Sequence, residues 1–250
     1  MVSAGLTDVG RKRNHNEDSF LIDDELKLYV VADGMGGHAG GGTASRIAVE
    51  TIDRELRSSR QSSDSPFLSA APLQESPLPE IIRNAVESAC MAIFNAAQED
   101  PRLAGMGTTV IALLVKDEHA FFAHVGDSRA YLIRGDLIQQ ISEDHSLVNE
   151  QIKAGMITPE EAKHSRYKNI ITRSVGFEED VQVDVMGLLL EPGDVFVLCS
   201  DGLANMVDDE ELREIVRRTP LEETPKKLVE LANERGGDDN ITVIVVQTAA

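Results

Sequence analysis

Residues 107–141 read GTTVIALLVKDEHAFFAHVGDSRAYLIRGDLIQQI, and the fold turns on this stretch. Strands are expected near 107–116, 119–126, 128–134 and 137–141, because these runs are short, apolar, rich in β-branched residues and bounded by turn residues. No helical pattern separates them. Strands and helices therefore do not alternate as βαβ units, which argues for an α+β fold of antiparallel sheets with packed helices, with a parallel doubly wound sheet as the weaker alternative.

Working outward, further strands are expected near 2–7, 19–23, 26–32, 181–190, 194–199 and 241–247. Helices are expected at about 43–57, 79–98, 208–218 and 221–234. In the second of these, apolar residues return every three to four positions, as at Ile81, Ile82, Ala85, Val86, Ala89 and Ile93. Residues 58–79 combine Ser and Pro with little periodicity and read as a mobile surface loop. Residues 145–172 read as short helical pieces of mixed polarity, a lid-like excursion. With 250 residues and no internal repeat, one domain spanning 1–250 is expected.

The chain carries 24 Lys and Arg against 43 Asp and Glu, a net charge of −19. That field repels nucleic acid and anionic membrane surfaces, so neither is expected as a partner. Cys90 and Cys199 each sit among apolar neighbours and read as buried thiols in a reducing compartment. No apolar run approaches a membrane span and no signal peptide is evident, so a soluble, cytoplasmic protein is expected.

Most of the carboxylates simply solvate the surface. Five of them share a placement: Asp33, Asp127 and Asp201 follow predicted strands, whereas Asp18 and Asp239 precede them. Asp33-Gly34 and Asp201-Gly202 could be hairpin turns, but each is followed by a helical pattern instead of a second strand. If these strand ends converge, a hard divalent cation with oxygen ligands is the usual remedy for the clustered charge. A glycine beside an aspartate lets its carbonyl approach an ion. Carboxylates, carbonyls and water favour Mg²⁺ or Mn²⁺ over zinc, and none of the six histidines has metal-ligand spacing to another. His119 and His124, on one apolar strand, read as core or turn residues. The run from Gly34 to Ala39 also matches a dinucleotide fingerprint, GxGxxA, after a strand and before a helix. Against that reading, Asp33 would face the pyrophosphate, and no strand ending in an acid appears some 20 residues on.

Eight motifs occur in order: RNHNED (13–18), VADGMGGH (31–38), GTT (107–109), HVGDSRAY (124–131), EDHS (143–146), ITRSVG (171–176), CSDGL (199–203) and GGDDNIT (236–242). Their order and spacing resemble bacterial metal-dependent protein serine/threonine phosphatases of the 2C type, over essentially the whole chain. The resemblance implies a four-layer α/β/β/α sandwich with two Mn²⁺ or Mg²⁺ ions at one end. Asp33 would bridge both ions, Asp201 and Asp239 would complete one, and the Gly34 carbonyl would serve the other. Glu17 and Asp18 would act directly or through water, and Asp127 with Asp201 would hold a third, weaker ion. Arg13 would grip the substrate phosphate, and Asn240 would orient Asp239. Gly42 replaces a glutamate common in bacterial members, with little consequence expected.

Animal members place a histidine, as proton donor to the leaving group, where this chain has Met35. His38, His145 and a metal-bound water are the candidates, with His38 preferred. Residues 145–180 align with the family's variable flap, the expected source of substrate preference and gating. The activity implied is hydrolysis of phosphoserine and phosphothreonine in proteins, opposing a serine/threonine kinase, by a monomer. A metal that lowers the pKa of water from 15.7 to roughly 7–9 makes bridging hydroxide available as nucleophile. The alternatives are a catalytically silent metal- or phosphoprotein-binding module on the same fold and a dinucleotide-binding oxidoreductase.

Overall fold

Tight turns at Asp117-Glu118 and Gly135-Asp136 fold the 107–141 stretch back on itself twice, with positive φ at Asp117 (53°) and Gly135 (58°). In this computed structural model, which describes residues 1–36, 40–61, 67 and 73–249, the stretch forms β4 (Gly107–Thr108), β5 (Val110–Lys116), β6 (His119–Val125), β7 (Arg129–Arg134) and β8 (Leu137–Gln140). Before it come β1 (Val2–Asp8), β2 (Asp18–Asp23), β3 (Leu28–Met35), α1 (Gly40–Gln61) and α2 (Leu78–Glu99). After it come α3 (Leu147–Lys153), α4 (Pro159–Lys163), β9 (Asp184–Leu189), β10 (Val195–Cys199) and α5 (Asp201–Ala204). α6 (Asp209–Arg218), α7 (Thr224–Glu234) and β11 (Ile241–Gln247) end the series.

One sheet runs β1-β11-β10-β7-β8 and the other β2-β3-β5-β6-β9, with β4 paired to β3. Each pairing between these strands is antiparallel. The dinucleotide reading loses its basis here, because that fingerprint needs a parallel crossover. Gly126–Ser128 carries the chain from one sheet to the other, and Asp127 sits on that crossing.

The two-residue period of a strand sorts its side chains into layers. On β3, Leu28, Val30 and Ala32 pack under α1 and α2, while Tyr29 and Val31 face the other sheet. On β10, Phe196 and Leu198 enter the inter-sheet layer, while Val197 and Cys199 pack under α6 and α7 with Leu212, Val216 and Leu228. The result is the four-layer sandwich with both sheets covered on both faces. Both cysteines are free and buried, as expected.

Boundaries differ from expectation in places. α1 starts at Gly40 and reaches Gln61, so Ser58–Gln61 of the expected loop are helical, as are Leu78 and Pro79 at its far end. Residues 62–66 and 68–72 of that loop lie outside the described residues. β3 continues past Asp33 to Met35 because Gly34 and Met35 pair with Thr108 and Gly107. No helix among the described residues is long and apolar enough to cross a membrane.

Candidate metal centre

Antiparallel register sets Asp18 of β2 directly opposite Asp33 of β3. The Asp33 main chain is clamped: its N–H donates to Thr109 Oγ1 (2.9 Å), and its carbonyl accepts from the Thr109 N–H (2.9 Å) and Thr108 Oγ1 (2.9 Å). Thr109 Oγ1 in turn meets Ser128 Oγ at 2.6 Å, tying β3 to the turn that carries Asp127. Asp18 Oδ2 accepts from Ser200 Oγ (2.9 Å) and Thr242 Oγ1 (2.6 Å), so the residue that follows β10 and a residue of β11 hold the acid borne by β2. Asp201 opens α5 immediately after Ser200.

The glycines make this approach possible. A Cβ on Gly34 would stand 2.1 Å from the Gly41 carbonyl oxygen and 2.6 Å from that of Glu17. A Cβ on Gly202 would stand 2.0 Å from the Asn240 carbonyl oxygen, so the α5 turn and the segment bearing Asp239 meet backbone to backbone. The Gly34 carbonyl and the Glu17 carboxyl both crowd Gly41, where a Cβ would fall 2.7 and 2.9 Å from their nearest atoms.

The carboxylates converge. Burial first, then the charges of Asp18, Asp201, Asp127 and Asp239, push the Asp33 carboxyl well above the ordinary aspartate value. Burial raises Asp18 to about 7 despite its two hydroxyl donors, with Asp201 adding to the rise. Asp127 is pushed up to about 8 by burial and then by Asp201 and Asp144, and Asp201 to about 6 by burial and then by Asp239. Like charges this close hold protons until a cation replaces them.

A hard cation fits these donors. Asp18 Oδ1 and Asp201 Oδ1 are buried and have no hydrogen-bond partner, and buried anionic oxygens normally find a donor or a metal. Among the described residues no three acidic, histidine or cysteine side chains are grouped closely enough to hold a metal ion by themselves. A cation that keeps several of its waters does not need such a group.

Arg13 Nη2 donates to Asp239 Oδ2 at 2.6 Å, with about half the arginine side chain exposed to solvent. This puts a planar, multi-donor cation at the rim of the carboxylate cluster. Asp239 Oδ1 accepts from the Asn240 N–H (2.8 Å), a main-chain contact from its neighbour.

His145 is spent inside the fold. Its Nδ1 accepts from the Gly126 N–H (3.0 Å), which leaves the proton on Nε2, 3.1 Å from Asp184 Oδ2. Burial lowers its pKa, against the pull of Asp184. It braces the turn that carries Asp127, as does Asp144 through a bidentate pair with Arg129 (2.7–3.0 Å). His124 is buried against His145, ring centroids 4.7 Å apart, as a core residue. His38 lies outside the described residues. The roles of Thr109, Ser128, Ser200 and Thr242 escape a sequence reading, although each stands inside a quoted motif.

Comparison with known proteins adds a family to this geometry. The family model described as Protein phosphatase 2C matches residues 10–241. Protein phosphatase PhpP of Streptococcus pneumoniae is 40% identical over 250 residues, covering 96% of this chain and 95% of its own. The serine/threonine phosphatase PstP/Ppp of Mycobacterium tuberculosis superposes with a TM-score of 0.89 at 32% identity, over 100% of this chain and 99% of that one. A PstP catalytic domain solved with two manganese ions gives 0.85 at 32% identity, over 100% and 98% of the two chains.

Proposed function

This chain belongs to the protein phosphatase 2C family and is a serine/threonine protein phosphatase; from that premise we propose how its residues divide the work. Asp33, Asp201 and Asp239 would hold one Mn²⁺ or Mg²⁺ ion, and Asp33 with the Gly34 carbonyl would hold a second, with Glu17 and Asp18 acting directly or through water. Asp127 with Asp201 would hold a third, weaker ion. The observation that carries this reading is the meeting of five carboxylates, two with orphaned buried oxygens, beside the Arg13 guanidinium.

When bound, such ions supply Lewis acidity and bring the pKa of coordinated water toward neutrality. The chain's own residues do the rest. Asp18, Asp33, Asp127 and Asp201 would meet the ions as carboxylates, the cations offsetting the burial and mutual repulsion that raise their pKa values. Arg13 offers the guanidinium donors not engaged by Asp239 to a phosphate, whose oxygens match that fork. Ser200, Thr242 and Thr109 fix the carboxylates and the β3 backbone, so little reorganisation accompanies binding. His145 has both ring nitrogens engaged internally, which leaves His38 and a metal-bound water as the candidate proton donors, with His38 preferred in this reading.

The substrates are phosphoproteins made by a serine/threonine kinase, and the chain works as a single-domain, cytoplasmic monomer. The test is hydrolysis of phosphoserine and phosphothreonine peptides with Mn²⁺, with Mg²⁺ and with chelator. Turnover with either metal and none with chelator is expected. Metal binding without turnover would return the chain to the silent-module reading.

A further inference from the structure

The substrate arginine sits on a loop with no regular structure, between the end of β1 at Asp8 and the start of β2 at Asp18, and residues 11–16 of it are exposed. Such a segment would not by itself hold a guanidinium in one place. Its order comes from the segment 237–240. The N–H groups of Arg11 and Lys12 both donate to the Gly237 carbonyl (2.7 and 3.1 Å). The larger contribution is that of the Asn240 side chain, which is 5% exposed. Its Nδ2 donates to the Val9 carbonyl (2.9 Å) and to the His15 carbonyl (2.9 Å), while its Oδ1 accepts from the Glu17 N–H (2.8 Å).

These three bonds reach both feet of the loop. A single carboxamide group thus draws together backbone groups on either side of Arg13 and fixes how far apart they stand. Only a side chain with paired N–H donors and a carbonyl can do this, and the two carbonyl partners of Nδ2 determine which way the amide points. Asp239, the partner of Arg13, is the residue immediately before Asn240 and accepts its N–H. The same residue therefore sets both ends of the Arg13–Asp239 ion pair.

We infer that Asn240 is a positioning residue for Arg13, closing the 9–17 loop so that the guanidinium stands ready for the substrate phosphate. The inference rests on the reading of Arg13 as the phosphate-binding residue. It differs from an orienting role on Asp239 alone, which the Asn240 main chain already performs without the carboxamide.

A double-mutant cycle on a phosphopeptide, at saturating Mn²⁺, tests it with Asn240→Ala, Arg13→Ala and the pair. Asn240→Ala is expected to lower kcat/KM by roughly 10- to 100-fold, chiefly through KM. In the Arg13→Ala background it should cost little more. Amide hydrogen exchange across residues 10–17 of the metal-free protein should quicken in Asn240→Ala and stay unchanged in Arg13→Ala. Asn240→Asp, which keeps the shape and the acceptor for Glu17 but turns both donors into acceptors facing carbonyls, should repeat the effect. It also serves if the alanine variant folds poorly. Full additivity of the two losses, or a raised Mn²⁺ requirement with KM unchanged, would overturn the inference. Failure of the underlying reading shows separately, as an Arg13→Ala variant with undiminished kcat/KM.

Discussion

Asp18 and Asp33 stand directly opposite one another on adjacent antiparallel strands, a placement in which two negative charges repel across the ladder. Asp18 is buried as well, with its Oδ2 taken by two hydroxyls and its Oδ1 left without a donor. A fold that tolerates this arrangement has some other means of offsetting the charge.

Stability without metal should therefore fall as pH rises. Asp18, Asp127 and Asp201 have folded-state values raised to about 7, 8 and 6 from an ordinary 3.8. A carboxyl with a raised value favours the fold fully below its unfolded value, and that contribution is lost as pH climbs through the folded one. The window is about pH 4 to 8. Thermal melts with chelator should show Tm declining across it, and the rise in Tm on adding Mn²⁺ should grow over the same range. A metal-induced rise that is flat with pH would contradict the assignment.

Asp18→Asn keeps the shape and both hydroxyl partners but removes one charge from the cluster. Melts with chelator at pH 8 should give a higher Tm than the parent. The Mn²⁺-induced rise should shrink in the same variant.

Much of the fold was legible because β3, β5, β10 and β11 are covered on both faces and read as unbroken apolar runs. The same property hid the layers: Phe196 and Val197 look alike in the sequence yet point to opposite faces of the sheet. The start of α1 at Gly40 was missed because a glycine-rich run reads as loop, whereas here the glycines let the helix approach Gly34. In the centre, the aspartates were legible as acids at strand ends. Ser200 and Thr242 were not, since they meet Asp18 across 182 and 224 residues of chain. Arg13, on an exposed loop without periodicity, came only from the family resemblance.

Gly34→Ala should damage both fold and activity. Its Cβ would meet the backbone oxygens of Gly41 and Glu17, neither of which can rotate away. A destabilisation of about 1–3 kcal/mol or more is expected, read as a Tm lower by several degrees, with phosphopeptide turnover falling alongside.

Thr109→Val keeps the side-chain shape but removes the acceptor for the Asp33 N–H and the contact with Ser128. An unsatisfied backbone N–H at this depth costs about 1–3 kcal/mol. Denaturant titration should show that loss, and the Mn²⁺ concentration for half-maximal activity should rise.

The most direct measurement of the central claim is phosphothreonine-peptide hydrolysis by wild type and Asp33→Asn over a Mn²⁺ series, with circular dichroism on both proteins. Asp33 is the acid on which Asp18, Asp127, Asp201 and Asp239 all bear. Its loss should lower turnover by about 10²-fold or more, at every Mn²⁺ concentration, with the spectrum unchanged. A folded Asp33→Asn protein that hydrolyses the peptide at the wild-type rate would contradict the metal-centre assignment.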